Sequence, residues 1–196
     1  MEKQLVFFRK GLKVALRPIL KEDAQQFFIW MNDPEITRNL LRNLPVSLEE
    51  EERWCHRKGE PNDADFTLAV VEVKSGKLIG VMGLHKVDYR SGTATTGAVI
   101  GDQEFRGRGY GSEAKMLLLQ FAFRELNLRK IYSHFIEYNA QSLAYSKKCG
   151  YVEEARLPKH MFKDGEYRDQ IILAVYRETW EPLWKEFSSK LGDKKE

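Results

Sequence analysis

Polar and apolar residues alternate along Lys13-Val14-Ala15-Leu16-Arg17 and the run stops at Pro18, which predicts a strand with alternate side chains on one face. The short apolar group Leu5-Val6-Phe7-Phe8 ahead of it reads as an earlier strand. Asp23 predicts the cap of a helix through Phe27, Phe28 and Trp30, stopped by Asn32-Asp33-Pro34. Ser47-Leu48-Glu49-Glu50 has capping-box spacing and opens a second helix toward Trp54. Residues 66–73 and 78–87 read as a hairpin around Lys74-Ser75-Gly76-Lys77, and residues 93–100 as the next strand. From Tyr110 the period changes. Tyr110, Ala114, Leu117, Leu118, Phe121 and Ala122 share one face of a long helix. Residues 131–136 predict a buried strand, and residues 140–148 a short helix that Gly150 closes as a left-handed cap. A strand from Tyr151, a turn at Asp164-Gly165 and a return strand at 171–175 predict a second hairpin. Trp180, Leu183, Trp184, Phe187 and Leu191 form a final helical stripe, read as docking on its own domain with a homodimer left open; a charged tail follows at 193–196.

Composition adds little and excludes some classes. The 196 residues are 42% hydrophobic and 31% charged, ordinary values for one globular domain over residues 1–196. A net charge of +3 does not by itself call for nucleic acid, and no apolar run is long enough to suggest a membrane span or leader. Cys55 and Cys149 are far apart and form no C-x-x-C pair, so neither a disulfide framework nor a metal site is expected. A reducing, cytoplasmic setting fits.

The chemistry concentrates in Phe105-Arg106-Gly107-Arg108-Gly109-Tyr110-Gly111-Ser112-Glu113-Ala114. Glycines at alternate positions bare the backbone, so amide N–H groups can converge on an anion. A strand before the run and a helix after it place a positive helix terminus at the same point. A Walker A loop is excluded because no Gly-Lys-[Ser/Thr] follows, and the dinucleotide fingerprint needs different glycine spacing. Arg108-Gly109-Tyr110-Gly111 begins like an RNA-recognition octamer, but Ser112-Glu113-Ala114-Lys115 turns helical where that motif continues as an aromatic strand. A ligand-free turn is the bland alternative.

The remaining pattern, R-x-x-G-x-G at Arg106–Gly111, resembles the pyrophosphate loop of the GNAT acetyltransferase superfamily. Asn139, Ser142, Gly150 and Tyr151 fall on a second GNAT pattern, N-x-x-A/S-x-x-x-Y-x-x-x-G-F. Leu16-Arg17-Pro18, Trp30-Met31-Asn32-Asp33-Pro34-Glu35, Asp164-Gly165-Glu166-Tyr167-Arg168-Asp169 and Arg177-Glu178-Thr179-Trp180 are similar to the RimJ/RimL-type subfamily. The resemblance implies one α/β (α+β) domain whose central mixed, mostly antiparallel twisted sheet has about six to seven strands flanked by helices. It implies direct transfer of acetyl from acetyl-CoA to a primary amine, with CoA held by Val99, Ile100, Gly101, Arg106, Gly107, Arg108, Gly109, Tyr110, Gly111, Ser112, Asn139, Ser142, Ser146 and Lys148.

Two family positions differ here. The tyrosine that protonates the departing thiolate falls at Ser146, with Tyr145 one residue earlier, so either side chain could assist. The strand glutamate that serves as candidate base falls at Thr95, leaving the base unassigned, with Glu137, His134 and Asp169 as other helpers. Backbone N–H near Val99 or Ile100 would polarise the thioester carbonyl. Tyr89, Arg90 and Trp30 are candidates for the acceptor cleft. Glu49-Glu50-Glu51-Glu52 could attract a polycation, or simply complement a helix dipole. A protein amino terminus or small amine is the expected acceptor, with a polyamine as alternative. The missing tyrosine and glutamate also fit a CoA-binding sensor module without catalysis.

Overall fold

The computed structural model describes residues 6–41, 44–58, 60 and 64–192. Among these residues eight strands hydrogen-bond in the order β1-β2-β3-β4-β5-β6-β8-β7. They are β1 (Arg9–Lys10), β2 (Val14–Pro18), β3 (Asp65–Glu72), β4 (Leu78–Asp88), β5 (Thr93–Ile100), β6 (Lys130–Ile136), β7 (Val152–Lys163) and β8 (Glu166–Tyr176). Every neighbouring pair is antiparallel except β5 and β6.

The sheet has more strands than the six to seven expected. The addition at the edge is β1, formed when the chain folds back at Gly11, whose N–H reaches the Val14 carbonyl at 2.8 Å. The strand itself starts at Arg9, although Phe8, the last residue of the apolar group expected as an early strand, already donates its N–H to the Leu16 carbonyl at 2.7 Å; Leu5 of that group lies outside the described residues, as does the tail at 193–196. The second hairpin is also longer than expected. Asp164 and Gly165 adopt φ of 52° and 82°, the left-handed pair that matches the twist of two long strands.

Among the described residues six α-helices cover the sheet: α1 (Ala24–Met31), α2 (Pro34–Thr37), α3 (Leu48–Lys58), α4 (Tyr110–Arg124), α5 (Ala140–Lys148) and α6 (Arg177–Gly192). On one face, Leu117, Leu118, Leu119 and Phe123 of α4 join Trp180 and Trp184 of α6 in the main core. The terminal stripe thus docks on its own domain. On the other face, Phe27 and Trp30 of α1 pack with Cys55 of α3 in a smaller core. Both cysteines are buried and unpaired with each other. Among the described residues no helix is long and apolar enough to cross a membrane.

Local rules explain most boundaries. Ser47 Oγ accepts the Glu50 N–H at 3.1 Å, as its capping spacing requires. Asp33 accepts from Glu35 N–H and, with Pro34 next to it, starts the short α2 that the sequence reading did not anticipate. Asp23 departs from its expected role. Its carboxylate makes no cap bond to α1 and instead holds the buried Arg17 guanidinium through two 2.7 Å bonds. That bidentate pair clamps β2 to the start of α1.

Candidate active site

The glycine run sits between the end of β5 and the start of α4. Gly107 and Gly109 have φ of 71° and 87°, left-handed conformations that glycine adopts without a Cβ clash. Gly109 is the residue before α4, so the N–H groups of its first turn open at this loop. A Cβ added at Gly107 would meet nothing within 4 Å, and one at Gly109 only Lys13 Nζ at 3.8 Å. The surface above both glycines is therefore bare backbone. Arg106 turns inward, donating to the carbonyls of Ile100 at 2.8 Å and Gly101 at 2.9 Å. Its guanidinium braces the loop against the end of β5. Lys13, which the sequence reading did not select, brings the positive charge instead; its Nζ donates to the Arg108 carbonyl at 3.0 Å.

Beside the loop the sheet forks. β5 and β6 are paired only from Thr93↔Lys130 to Thr95↔Tyr132, while β5 stays paired with β4 as far as Ile100 and β6 with β8 as far as Ile136. Every second main-chain group of β5 beyond Thr95 faces an open slot on the β6 side. Side chains tie the apex: Thr96 and Ser133 share a hydroxyl bond, and Tyr151 Oη lies 3.2 Å from Thr96 Oγ1. Lys115, 1% exposed, donates to the same Thr96 oxygen at 3.3 Å and stands 5.0 Å from the ring centres of Tyr145 and Tyr151. Burial works against its ammonium, while Tyr145, Tyr151 and Cys149 push its pKa up and prevail. Burial raises the Cys149 thiol to about 11, with Lys115 pulling the other way.

Helix α5 runs along the slot. Asn139 caps it by accepting the Ser142 N–H at 3.2 Å and also lines the slot, so cap and site residue coincide. Its far end is a Schellman turn, with Gly150 N–H on Lys147 O, Tyr151 N–H on Ser146 O and Gly150 at φ 91°. That turn drives Tyr151 into the core below the fork apex.

Two cavities meet at the fork. One, of about 270 Å³, is bounded by Val99, Ile100, Arg106, Gly107, Gly109, Gly111, Ser112, Asn139, Ser142, Tyr145 and Lys148. Most of the expected CoA residues are thus brought together. Gly101, Arg108, Tyr110 and Ser146 do not line it: Gly101 lies under Trp30, Arg108 contributes its carbonyl to Lys13, and the Tyr110 hydroxyl donates to Glu72. Ser146 is fully buried, with no hydrogen-bond partner for its hydroxyl. The other cavity, of about 430 Å³, opens toward α1 and α3 and is lined by Glu50, Glu51, Trp54, His85, Thr95, Gly97, Lys115, His134 and Tyr145. Met82, Ala98, Val99, Asn139, Ser142 and Tyr145 border both.

The family model for the GNAT acetyltransferase domain matches residues 13–152, which include the loop, the fork and α5. The chain belongs to the GNAT acetyltransferase family. Its relatives include YokL, an uncharacterized prophage-derived N-acetyltransferase of Bacillus subtilis, 28% identical over 90% of this chain and 97% of that protein. The spermidine N(1)-acetyltransferase of Vibrio cholerae is 33% identical over 51% of this chain and 57% of its own length. A crystal structure of spermidine N-acetyltransferase from Vibrio cholerae with CoA and spermine superposes with a TM-score of 0.79, covering 86% of this chain and 98% of that one. At 24% identity that likeness establishes the fold. This GNAT protein is accordingly an acyl-CoA N-acyltransferase, with CoA as co-substrate.

Some expected helpers lie elsewhere. Tyr89 and Arg90 are exposed on the β4–β5 turn, and Trp30 is buried in the smaller core; none lines either cavity. Asp169 is engaged by Arg156 and the Lys159 amide. Glu137 lines neither cavity. His134 does line the larger one, and burial, then Lys86, pushes its pKa down. Lys115 was hidden in the sequence because a lysine in an otherwise apolar helix turn reads as a solvated position.

Proposed function

We propose that this acetyltransferase passes acetyl directly from CoA, lying in the fork, to a primary amine entering from the α1–α3 side, in the manner of RimJ/RimL-type enzymes. The observation that carries this reading is that the two cavities meet at shared lining residues around Ala98 and Tyr145. One side offers bare amides and a helix start for a pyrophosphate, with Lys13 and Lys148 for charge. The other offers Glu50 and Glu51 to a cationic nitrogen. Both reactants then approach along one continuous cleft, which lowers the orientational cost of the encounter.

In this reading the Ile100 N–H, on the edge of β5 away from β4, polarises the thioester carbonyl, since β5 has left β6 there. Tyr145, bordering both cavities, is the hydroxyl placed to meet the sulfur as it leaves. Ser146 was the positional counterpart of the family tyrosine, but its burial favours a packing role.

The named activities of the Vibrio cholerae relatives support a polyamine as acceptor ahead of a protein amino terminus. Release of CoA thiol from acetyl-CoA, followed with spermidine and with a peptide bearing a free α-amine, tests the reading. Turnover of spermidine alone selects the polyamine acceptor. Tight CoA binding with no turnover on any amine would leave the sensor module.

A further inference from the structure

Attack on a thioester needs an amine that has lost its proton, and Thr95 cannot take one. Its direct cross-strand neighbour can: His85 faces Thr95 in the β4–β5 ladder. Asp65, opposite His85 in the β3–β4 ladder, places Oδ1 2.8 Å from His85 Nδ1. Lys58 Nζ reaches the same oxygen at 2.8 Å. Burial disfavours the Asp65 carboxylate, but the hydrogen bonds and charges of Lys58 and His85 outweigh it and hold its pKa below the usual range. An ionised carboxylate only accepts, so in the neutral imidazole it is Nδ1 that carries the proton and Nε2 that keeps the lone pair. That Nε2 lies over Gly97, where a Cβ would stand 3.2 Å away. Glycine leaves the nitrogen open to the larger cavity, which His85 and Gly97 both line. A bulge between His85 and Asp88, with Lys86 at φ 52°, marks the strand just after the imidazole.

We propose that His85 is the general base of this acetyl transfer and that Asp65 positions it. The inference rests on the amine-acceptor reading above. Nε2 takes a proton from the incoming ammonium, and the imidazolium that forms faces the Asp65 carboxylate. The nitrogen lone pair then forms the C–N bond to the acetyl carbon. The C–S bond breaks with its electron pair on sulfur, the second amine proton goes to that sulfur, and the imidazolium returns its proton to solvent. The products are an amide and free CoA thiol.

The other imidazole of the cavity suits the role less. His134 has burial and the Lys86 cation against it, both of which disfavour the charge a base must take up. The remaining charged groups around the cavity are Glu50, Glu51 and Arg57 of α3 and Lys115 of α4.

The test compares the intact wild-type chain with His85→Gln, His85→Ala and Asp65→Asn, using spermidine and a free-α-amine peptide as probes. An arm with no amine follows slow hydrolysis of acetyl-CoA, where the same base activates water, and is independent of the acceptor's identity. His85→Gln is expected to lower kcat about 100-fold, with KM for acetyl-CoA kept and the acid limb of the pH profile lost. Asp65→Asn is expected to lower kcat about tenfold with the same KM. Added imidazole should restore part of the His85→Ala rate, which a structural role would not allow. Wild-type kcat and pH profile in His85→Gln, in the hydrolysis arm as well as with amines, would overturn the proposal, and so would the same loss and rescue appearing at His134 instead. A wild-type chain that hydrolyses acetyl-CoA through His85 yet acetylates neither probe would support this base while refuting the acceptor classes named above.

Discussion

The indole of Trp30 lies on the α-carbon of Gly101: a Cβ there would stand 2.0 Å from Trp30 Cδ2 and 2.2 Å from Cε2. Gly101 directly follows β5, and Arg106 braces its carbonyl and that of Ile100, so this contact sets where the strand hands over to the glycine loop. Gly101→Ala is expected to cost about 1–3 kcal/mol through overpacking and to weaken CoA binding by moving the loop. Calorimetry and titration with CoA would measure both. Adding Trp30→Ala to Gly101→Ala should give less than the sum of the two losses, because the first clash disappears.

Gly109 separates conformation from crowding. Its φ of 87° means that Gly109→Ala carries a left-handed penalty of about 1–2 kcal/mol although the space is open. Gly109→Glu adds bulk and negative charge above the loop. A modest fall in melting temperature for both, with CoA binding lost for the glutamate variant, is the expected pattern in a thermal and binding comparison. Tight CoA binding by a folded Gly109→Glu chain would remove the loop from the donor site.

Tyr145 and Ser146 invite a direct comparison. Tyr145→Phe is expected to lower kcat about tenfold or more, with CoA affinity kept, because it removes the hydroxyl at the meeting point of the cavities. Ser146→Ala removes a buried hydroxyl that has no partner and should leave kcat unchanged while stabilising the fold by about 1 kcal/mol. Single-turnover rates and denaturant melts distinguish the two. The opposite ranking would return the acid role to Ser146.

His134 gives a pH-dependent stability. Burial, then Lys86, lowers its folded pKa below the ordinary 6.5, so the unfolded chain binds the proton more readily. Its stabilising contribution is whole above that ordinary value and is gone once the pH has fallen through the lowered folded one. His134→Gln should therefore flatten the stability profile on the acid side of about pH 6.5, read from urea melts at several pH values.

The elements were legible wherever one local rule governed them. The Ser47 cap, the Asp164-Gly165 turn, the Gly150 close of α5 and the stripe from Trp180 to Leu191 all behave as their spacing requires. Asp23 was misread because a cap and a buried ion-pair partner look alike until Arg17 is brought beside it. The glycine loop and the cap of α5 were legible because Gly107, Gly109 and Asn139 act through backbone geometry that leaves a mark in the sequence. His85 was not, because its partners Asp65, Thr95 and Gly97 meet it only across strands, and ladder register is set by the whole sheet. Lys115 stayed hidden for a related reason: its environment comes from β5, α5 and the chain after Gly150, none adjacent to it in sequence.

The early parting of β5 from β6 has a thermodynamic consequence. A sheet that ends the β5–β6 ladder after three residue pairs leaves a strand edge that a guest with strand-like amides can pair with. Any such guest binds the folded chain and not the unfolded one, so the melting temperature becomes a function of the guest's concentration. With donor at about 100 times its dissociation constant the fold gains about 2.7 kcal/mol. Endurance of the protein and supply of its acyl donor are thereby written into one equilibrium.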